Sequence, residues 1–181
     1  MSLSNTLNRS VKDPQTFAVS TQTFKGTDQT IHHMIQLSTE GQVSPKIRQY
    51  AENVIREIQP KDYLSEIAAI YYDTCRSIRY TRDPISAEYL QHPEVILKNR
   101  SADCDDIALY LNSLLKSALM SVGNDTSFTT VSFDSPNGEH THVFLTVNEE
   151  RTGQRVILDP VAGPKTSYMA KEVRGYRHYD T

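Results

Sequence analysis

The sequence predicts one α+β domain, with helices first and an antiparallel β-sheet second. Three observations carry that prediction. Up to residue 118 the apolar side chains recur at helical spacing, after Gly123 they alternate, and 181 residues suffice for one well-buried core but not for two. Hydrophobic residues at 38%, with 10 Tyr and 5 Phe, fit a globular chain. A mean hydropathy of −0.51 and the lack of a long apolar run exclude a transmembrane helix and predict no membrane partner.

Residues 1–27, rich in Ser, Thr, Asn and Gln, hold too few large apolar side chains to build a core and read as a polar arm. Its opening, MSLSNTLNRSVKDPQ, has no apolar stretch behind its basic residues, so it is not a secretory signal and the expected location is the cytoplasm. Within the arm, TFAVSTQTF places Phe17, Val19 and Thr21 at alternate positions, as an edge strand would. TDQTIHHMIQLSTEG then reads as a short helix with Asp28 in its polar start and Gly41 ending the turn after it. In SPKIRQYAENVIREIQP, Ser44 is an N-cap and Pro45 takes the first helical position. Ile47, Ala51, Val54, Ile55 and Ile58 share a face, and Pro60 closes the segment. DYLSEIAAIYYDTCRSI is a third helix with an inner stripe of Leu64, Ile67, Ala68, Tyr71, Cys75 and Ile78, which makes Cys75 a small core residue.

RYTRDPISAEYLQHPEVILKNRSAD carries two prolines at non-helical spacing and reads as an ordered connection over the surface. From Asp103 the helical pattern resumes as a central helix, with Ile107, Ala108, Leu111, Leu114, Leu115 and Ala118 inward, and SVGND breaks it. TSFTTVSF, HTHVFLTV and QRVILDP read as three strands separated by the turn-like DSPNGE and NEERTG, the last two forming a hairpin. The folded domain is thus expected over residues 28–165, followed by a tail at 166–181. KEVRGYRHY in that tail reads as solvated and packed by its aromatics. Although it is locally basic, a net charge of −3 and a pI near 6.1 do not point to a nucleic-acid partner.

The stretch NRSADCDDIALYLNSLLKSAL sets one cysteine among three aspartates at a helix start. In a reducing cytosol Cys75 and Cys104 are not expected to pair, so each thiol needs its own account. Unpaired N–H groups at a helix N-terminus favour a thiolate and can receive an oxyanion, which puts Cys104 where a nucleophile could be activated. Asp103, Asp105 and Asp106 would oppose this if their charges lay close. They are therefore expected to cap the helix, or to engage its N-terminus or Arg79, Arg82 and Arg100. A helix that merely begins with acids, with Cys104 as filler, is the plain alternative.

A partner for the thiol must come from elsewhere. In EHTHVFLTV, Val143, Leu145 and Val147 share one strand face, and His140, His142, Phe144 and Thr146 share the other. With the hairpin loop centred near Arg151, antiparallel pairing sets residue 142 opposite about residue 160, beside Asp159. An aspartate there can hold one imidazole nitrogen and leave the other for a thiol. Taken singly, His142 also reads as a half-exposed strand histidine, and Asp159 before Pro160 as a turn residue.

Cysteine, histidine and aspartate in this order, at a helix start, on a strand and on the next strand, resemble the core of the transglutaminase-like (papain-like cysteine peptidase) superfamily. The motifs are ADCDDIALYLNSLL, THVFLTV and VILDP. The chain looks closest to the small bacterial and phage-encoded branch, where IRYTRDPISAEYLQHPEVIL also has a counterpart, and the resemblance spans about residues 28–162. It implies Cys104 as nucleophile, His142 as general base, Asp159 as orienting residue, and a protein or peptide substrate, with no cofactor and no metal. Tyr80 is the candidate side-chain oxyanion donor beside the Cys104 backbone N–H, with Asp103, Asp105 and Asp106 supporting the helix start. The chain departs from the family in having Ala102 where Gly is common. It also has Val156 and Ile157 where an aromatic such as Trp is frequent, and no Trp at all.

Three readings follow. The first is cysteine-dependent acyl transfer, with hydrolysis of a peptide or amide preferred over cross-linking because nothing indicates a glutamine-accepting tunnel. The second is a structural component of a phage particle that keeps the scaffold, its arm and tail ordering on other phage structural proteins so that it enters the virion. The third, a metal site from Cys104, His140, His142 and nearby acids, lacks a paired cysteine motif and is set aside.

Overall fold

Among the described residues, five helices precede a four-stranded antiparallel sheet, the α+β order read from the single change of period. The computed structural model describes residues 16–19, 24–83, 88–118, 124–132, 141–149, 152–162 and 175–181. Strand β1 (Thr16–Val19) is followed by helices α1 (Phe24–Gln42), α2 (Pro45–Ile55) and α3 (Tyr63–Ser77). Then come β2 (Arg79–Tyr80), β3 (Glu88–Gln91), α4 (Pro93–Asn99), β4 (Ser101–Ala102) and α5 (Cys104–Ala118). Strands β5 (Asn124–Ser132), β6 (His142–Glu149), β7 (Gln154–Leu158) and β8 (Gly175–Asp180) complete the order. Among the described residues no helix is long and apolar enough to cross a membrane.

The main sheet runs β7-β6-β5-β8. Its register aligns Leu158 with Leu145, Leu145 with Phe128 and Phe128 with Tyr179, a row of large side chains on the core face. Helix α5 packs on this face and is buried along almost its whole length, from Asp105 to Leu115. It is therefore enclosed, where the sequence alone indicates one inward stripe. Its polar side chains find partners on α1: Asn112 Nδ2 donates to Ser38 Oγ at 2.7 Å, and Ser113 Oγ donates to the Ser38 carbonyl at 3.2 Å.

Four local expectations are corrected. Gly41 does not end a turn; it lies inside α1, which starts at Phe24, ahead of the expected boundary at residue 28. An ideal Cβ on Gly41 would stand 2.5 Å from Pro93 Cγ and 2.6 Å from Ser113 Oγ, so glycine is what lets α1 close onto α4 and α5. The stretch after Tyr80 is more than a surface connection. Pro93 opens α4 with His92 as N-cap, its Nδ1 accepting the Glu94 N–H at 3.2 Å, so the second proline is a helix-start signal. On α3 the buried line is Ile67, Ile70, Tyr71 and Thr74, turned relative to the expected stripe, and Cys75 is only partly buried. Finally, Gly175–Asp180 is solvated as expected, with Tyr179 packed on the core, but it is a strand, β8, paired antiparallel with β5.

Other elements form where the sequence places them. Ser44 caps α2, accepting the Ile47 N–H, with Pro45 at the first helical position. The alternating arm segment supplies β1, paired antiparallel with β3 in a separate two-stranded sheet.

Candidate active site

The approach to Cys104 is set by a short parallel pairing of β2 with β4. The Arg79 N–H donates to the Arg100 carbonyl at 2.9 Å and the Thr81 N–H to the Ala102 carbonyl at 2.8 Å, which aligns Tyr80 with Ala102, two residues before the cysteine. Arg100, which ends α4, is left-handed at φ 56°. Its guanidinium sits 4.6 Å from the Tyr50 ring centre and donates to the Tyr50 hydroxyl at 2.9 Å, while Tyr50 donates to Asp73 Oδ2 at 2.7 Å. The turn leading into α5 is thereby tied to α2 and α3.

The three aspartates have separate partners. Asp103 takes the N-cap position: its Oδ1 accepts the Asp106 N–H at 3.3 Å and its carbonyl accepts the Ile107 N–H at 3.0 Å. Asp106 is fully buried and accepts from the Gln91 backbone N–H at 2.7 Å and from Gln91 Nε2 at 2.6 Å. Burial, reinforced by the Asp103 charge, pushes its carboxyl up to about 8 against the pull of Gln91. Asp105 Oδ1 accepts the Cys104 S–H at 3.2 Å. Of the arginines considered from sequence, Arg100 engages Tyr50 and Arg82 engages Tyr80.

Cys104 is partly buried, and its thiol lies well above the usual range. Burial is the main cause, followed by the Asp105 and Asp103 charges, while the Val143 backbone N–H directed at the sulfur pulls the other way. The thiolate that a bare helix N-terminus would favour is thus outweighed by its surroundings.

At the first residue of β6, His142 Nε2 lies 2.7 Å from Asp159 Oδ2. Asp159 is fully buried; its Oδ1 accepts the Val161 and Ala162 N–H groups at 3.1 and 3.2 Å, and its carbonyl accepts the Tyr71 hydroxyl at 3.0 Å. Extending the β6–β7 register from Leu145–Leu158 sets His142 level with Val161, one residue from the sequence expectation. Asp159 reaches His142 diagonally. The nitrogen that His142 turns to Asp159 is Nε2.

The Val143 N–H on the sulfur brings Cys104 to the residue next to His142. Tyr80 joins from β2: its phenol, 41% exposed, is raised first by burial and next by the Cys104 charge, and it is bonded to Arg82. His140 lies outside the described residues, and among those described no group of three or more His, Cys, Asp and Glu could hold a metal. Sequence reasoning missed Tyr71, Gln91 and Val143. Tyr71 did register, but as an apolar stripe position; a buried tyrosine needs a partner for its hydroxyl, and that requirement was the available signal.

No family model matches the chain, and no curated protein matches its sequence. Two solved structures resemble it in fold. One is described as a candidate cysteine protease from Cytophaga hutchinsonii, 16% identical, covering 73% of this chain and 42% of that one at a TM-score of 0.49. The other is described as a candidate protease from Parabacteroides distasonis, 11% identical, covering 70% of this chain and 25% of that one at a TM-score of 0.51. The chain thus spans less than half the length of either, and at 11% identity the likeness to the second is one of fold.

Proposed function

We propose that this protein is a cysteine-dependent acyl-transfer enzyme that hydrolyses a peptide or amide bond, with Cys104 as nucleophile, His142 as general base and acid, and Asp159 as the orienting carboxylate. The observation that carries this reading is the 2.7 Å His142–Asp159 pair at the start of the strand whose next N–H, on Val143, meets the Cys104 sulfur. In this reading Sγ attacks the carbonyl carbon while His142 Nδ1 takes the thiol proton, and the oxyanion is received by the Cys104 N–H and Tyr80. The C–N bond breaks as His142 returns the proton to the leaving amine. Water then attacks the thioester, giving its proton to His142, and the acid departs with the thiol restored. Burial and the Asp105 and Asp103 charges hold the thiol above its usual range, so in this reading proton removal accompanies attack.

Cys104→Ala is expected to abolish turnover of a peptide library while circular dichroism and the unfolding midpoint stay near wild type. Equal turnover in that variant would end the reading. A membership in the phage-encoded branch, and a non-catalytic role in a phage particle, rest only on the resemblance and on the polar arm and basic end of the sequence. The particle role would show as incorporation lost on deleting residues 1–25 and kept in Cys104→Ala.

A further inference from the structure

We propose that Asp105 is a functional residue of this site, which holds the Cys104 proton and so fixes the pH at which the nucleophile forms. The proposal deepens the acyl-transfer reading and rests on it for its meaning in catalysis. Its carrying observation is the contact of Asp105 Oδ1 with Cys104 Sγ at 3.2 Å, a direct hydrogen bond to the would-be reacting atom.

The other two carboxylates of the cluster have different work. Asp103 caps α5 and Asp106 is bonded to Gln91 on β3. A carboxylate in the first turn of a helix ordinarily gains from the N–H groups there, whether or not a thiol is near. Asp105 Oδ1 also meets the sulfur, and the residue is only 9% exposed, so solvent screens its charge little. A carboxylate so placed stabilises S–H by accepting its hydrogen bond and repels S⁻ by its charge, and both effects have the same sign.

The other groups facing the thiol can be weighed in turn. Asp103 adds charge of the same sign, the Val143 N–H from β6 opposes it, and Tyr80 from β2 approaches with Arg82 bonded to it. His142, adjacent to Val143, is the base proposed to take the proton. The raised position of the thiol agrees with this balance. Asp105 therefore keeps the nucleophile as a thiol until a carbonyl carbon and a base are both in place, which limits alkylation or oxidation of the idle enzyme.

The test is iodoacetamide alkylation of Cys104 across pH in the full chain, read by peptide mass spectrometry, with Cys75 as internal reference. In Asp105→Asn, which keeps a hydrogen-bond acceptor and removes the charge, the Cys104 midpoint is expected to fall by about one pH unit or more. Its rate at pH 7 should rise about tenfold. Asp105→Glu should return the midpoint toward wild type. A purely structural role at the helix start would lower the unfolding midpoint of Asp105→Asn and leave the Cys104 profile where it was. That result, or an unchanged profile in a fully stable Asp105→Asn, overturns the proposal. If the midpoint falls but no peptide is turned over, the proton-holding role stands and the peptidase reading fails. If Cys104→Ala abolishes turnover while Asp105→Asn alkylates as wild type does, the reverse holds.

Discussion

Asp106 shows what burial does to one carboxyl. With its carboxyl at about 8 in the folded chain and near 4 in the unfolded one, the folded state binds the extra proton between those values. Stability is then present below the lower value and declines as pH rises through the interval, because ionisation must occur without water. Asp106→Asn is expected to remove this slope, so that urea unfolding from pH 5 to pH 8 shows wild type losing on the order of a few kcal/mol more than the variant. Parallel curves would refute the shift. At this scale the sequence was half legible. The adjacency of His142 and Asp159 followed from strand parity and hairpin register alone, to within one residue. The division of labour among Asp103, Asp105 and Asp106 did not, because it depends on Gln91, which β3 delivers through long-range packing that no spacing near residue 105 encodes.

Among the elements, α1 and α4 depart from the sequence expectation for one shared reason: Gly41 and Pro93 look like breaks in composition, but Gly41 sits in a packed contact and Pro93 at the first position of a helix. Gly41 gives a test in which two effects have opposite signs. Alanine in a helix interior gains about 1 kcal/mol over glycine by propensity. The added Cβ, however, would stand 2.5 Å from Pro93 and 2.6 Å from Ser113, and overpacking of that kind costs about 1–3 kcal/mol. Gly41→Ala is therefore expected to lower the urea midpoint, and a higher midpoint would mean that α4 yields more easily than its burial implies. By contrast, α2 was legible at its start because Ser44 and Pro45 are local signals. The central helix was legible in position but not in its enclosure, since an all-round buried helix with Asn112 and Ser113 inside looks amphipathic until its partner Ser38 is known.

At the scale of the whole molecule, the sheet ends on an edge strand that composition disguised. Tyr, Arg and His in GYRHYD read as a solvated tail, yet β8 covers the outer edge of β5. Its Tyr179 hydroxyl donates to Asp28 Oδ1 at 3.0 Å, and Thr181 meets Lys116 Nζ. Deleting residues 175–181 removes a strand's ladder bonds and the cover over Phe128. With each net hydrogen bond contributing about 1 kcal/mol, a loss on the order of 3 kcal/mol or more is expected, with a rise in light scattering from the bared edge. An unchanged unfolding curve and a clear solution would show that the strand is dispensable. The same arrangement governs how the chain assembles. Tyr179 and Asp28 are 151 residues apart in sequence, so their contact closes one of the largest loops in the fold. A chain emerging from the ribosome can form α1 to α5 and the β5–β6–β7 meander, bringing His142 to Asp159 and Cys104 to Val143, while the far edge of β5 still lies open. The interval before β8 arrives is when this protein is most exposed to strand-pairing with a neighbouring chain, and a chaperone that shields β5 during synthesis would matter more to its yield than one that shields the site.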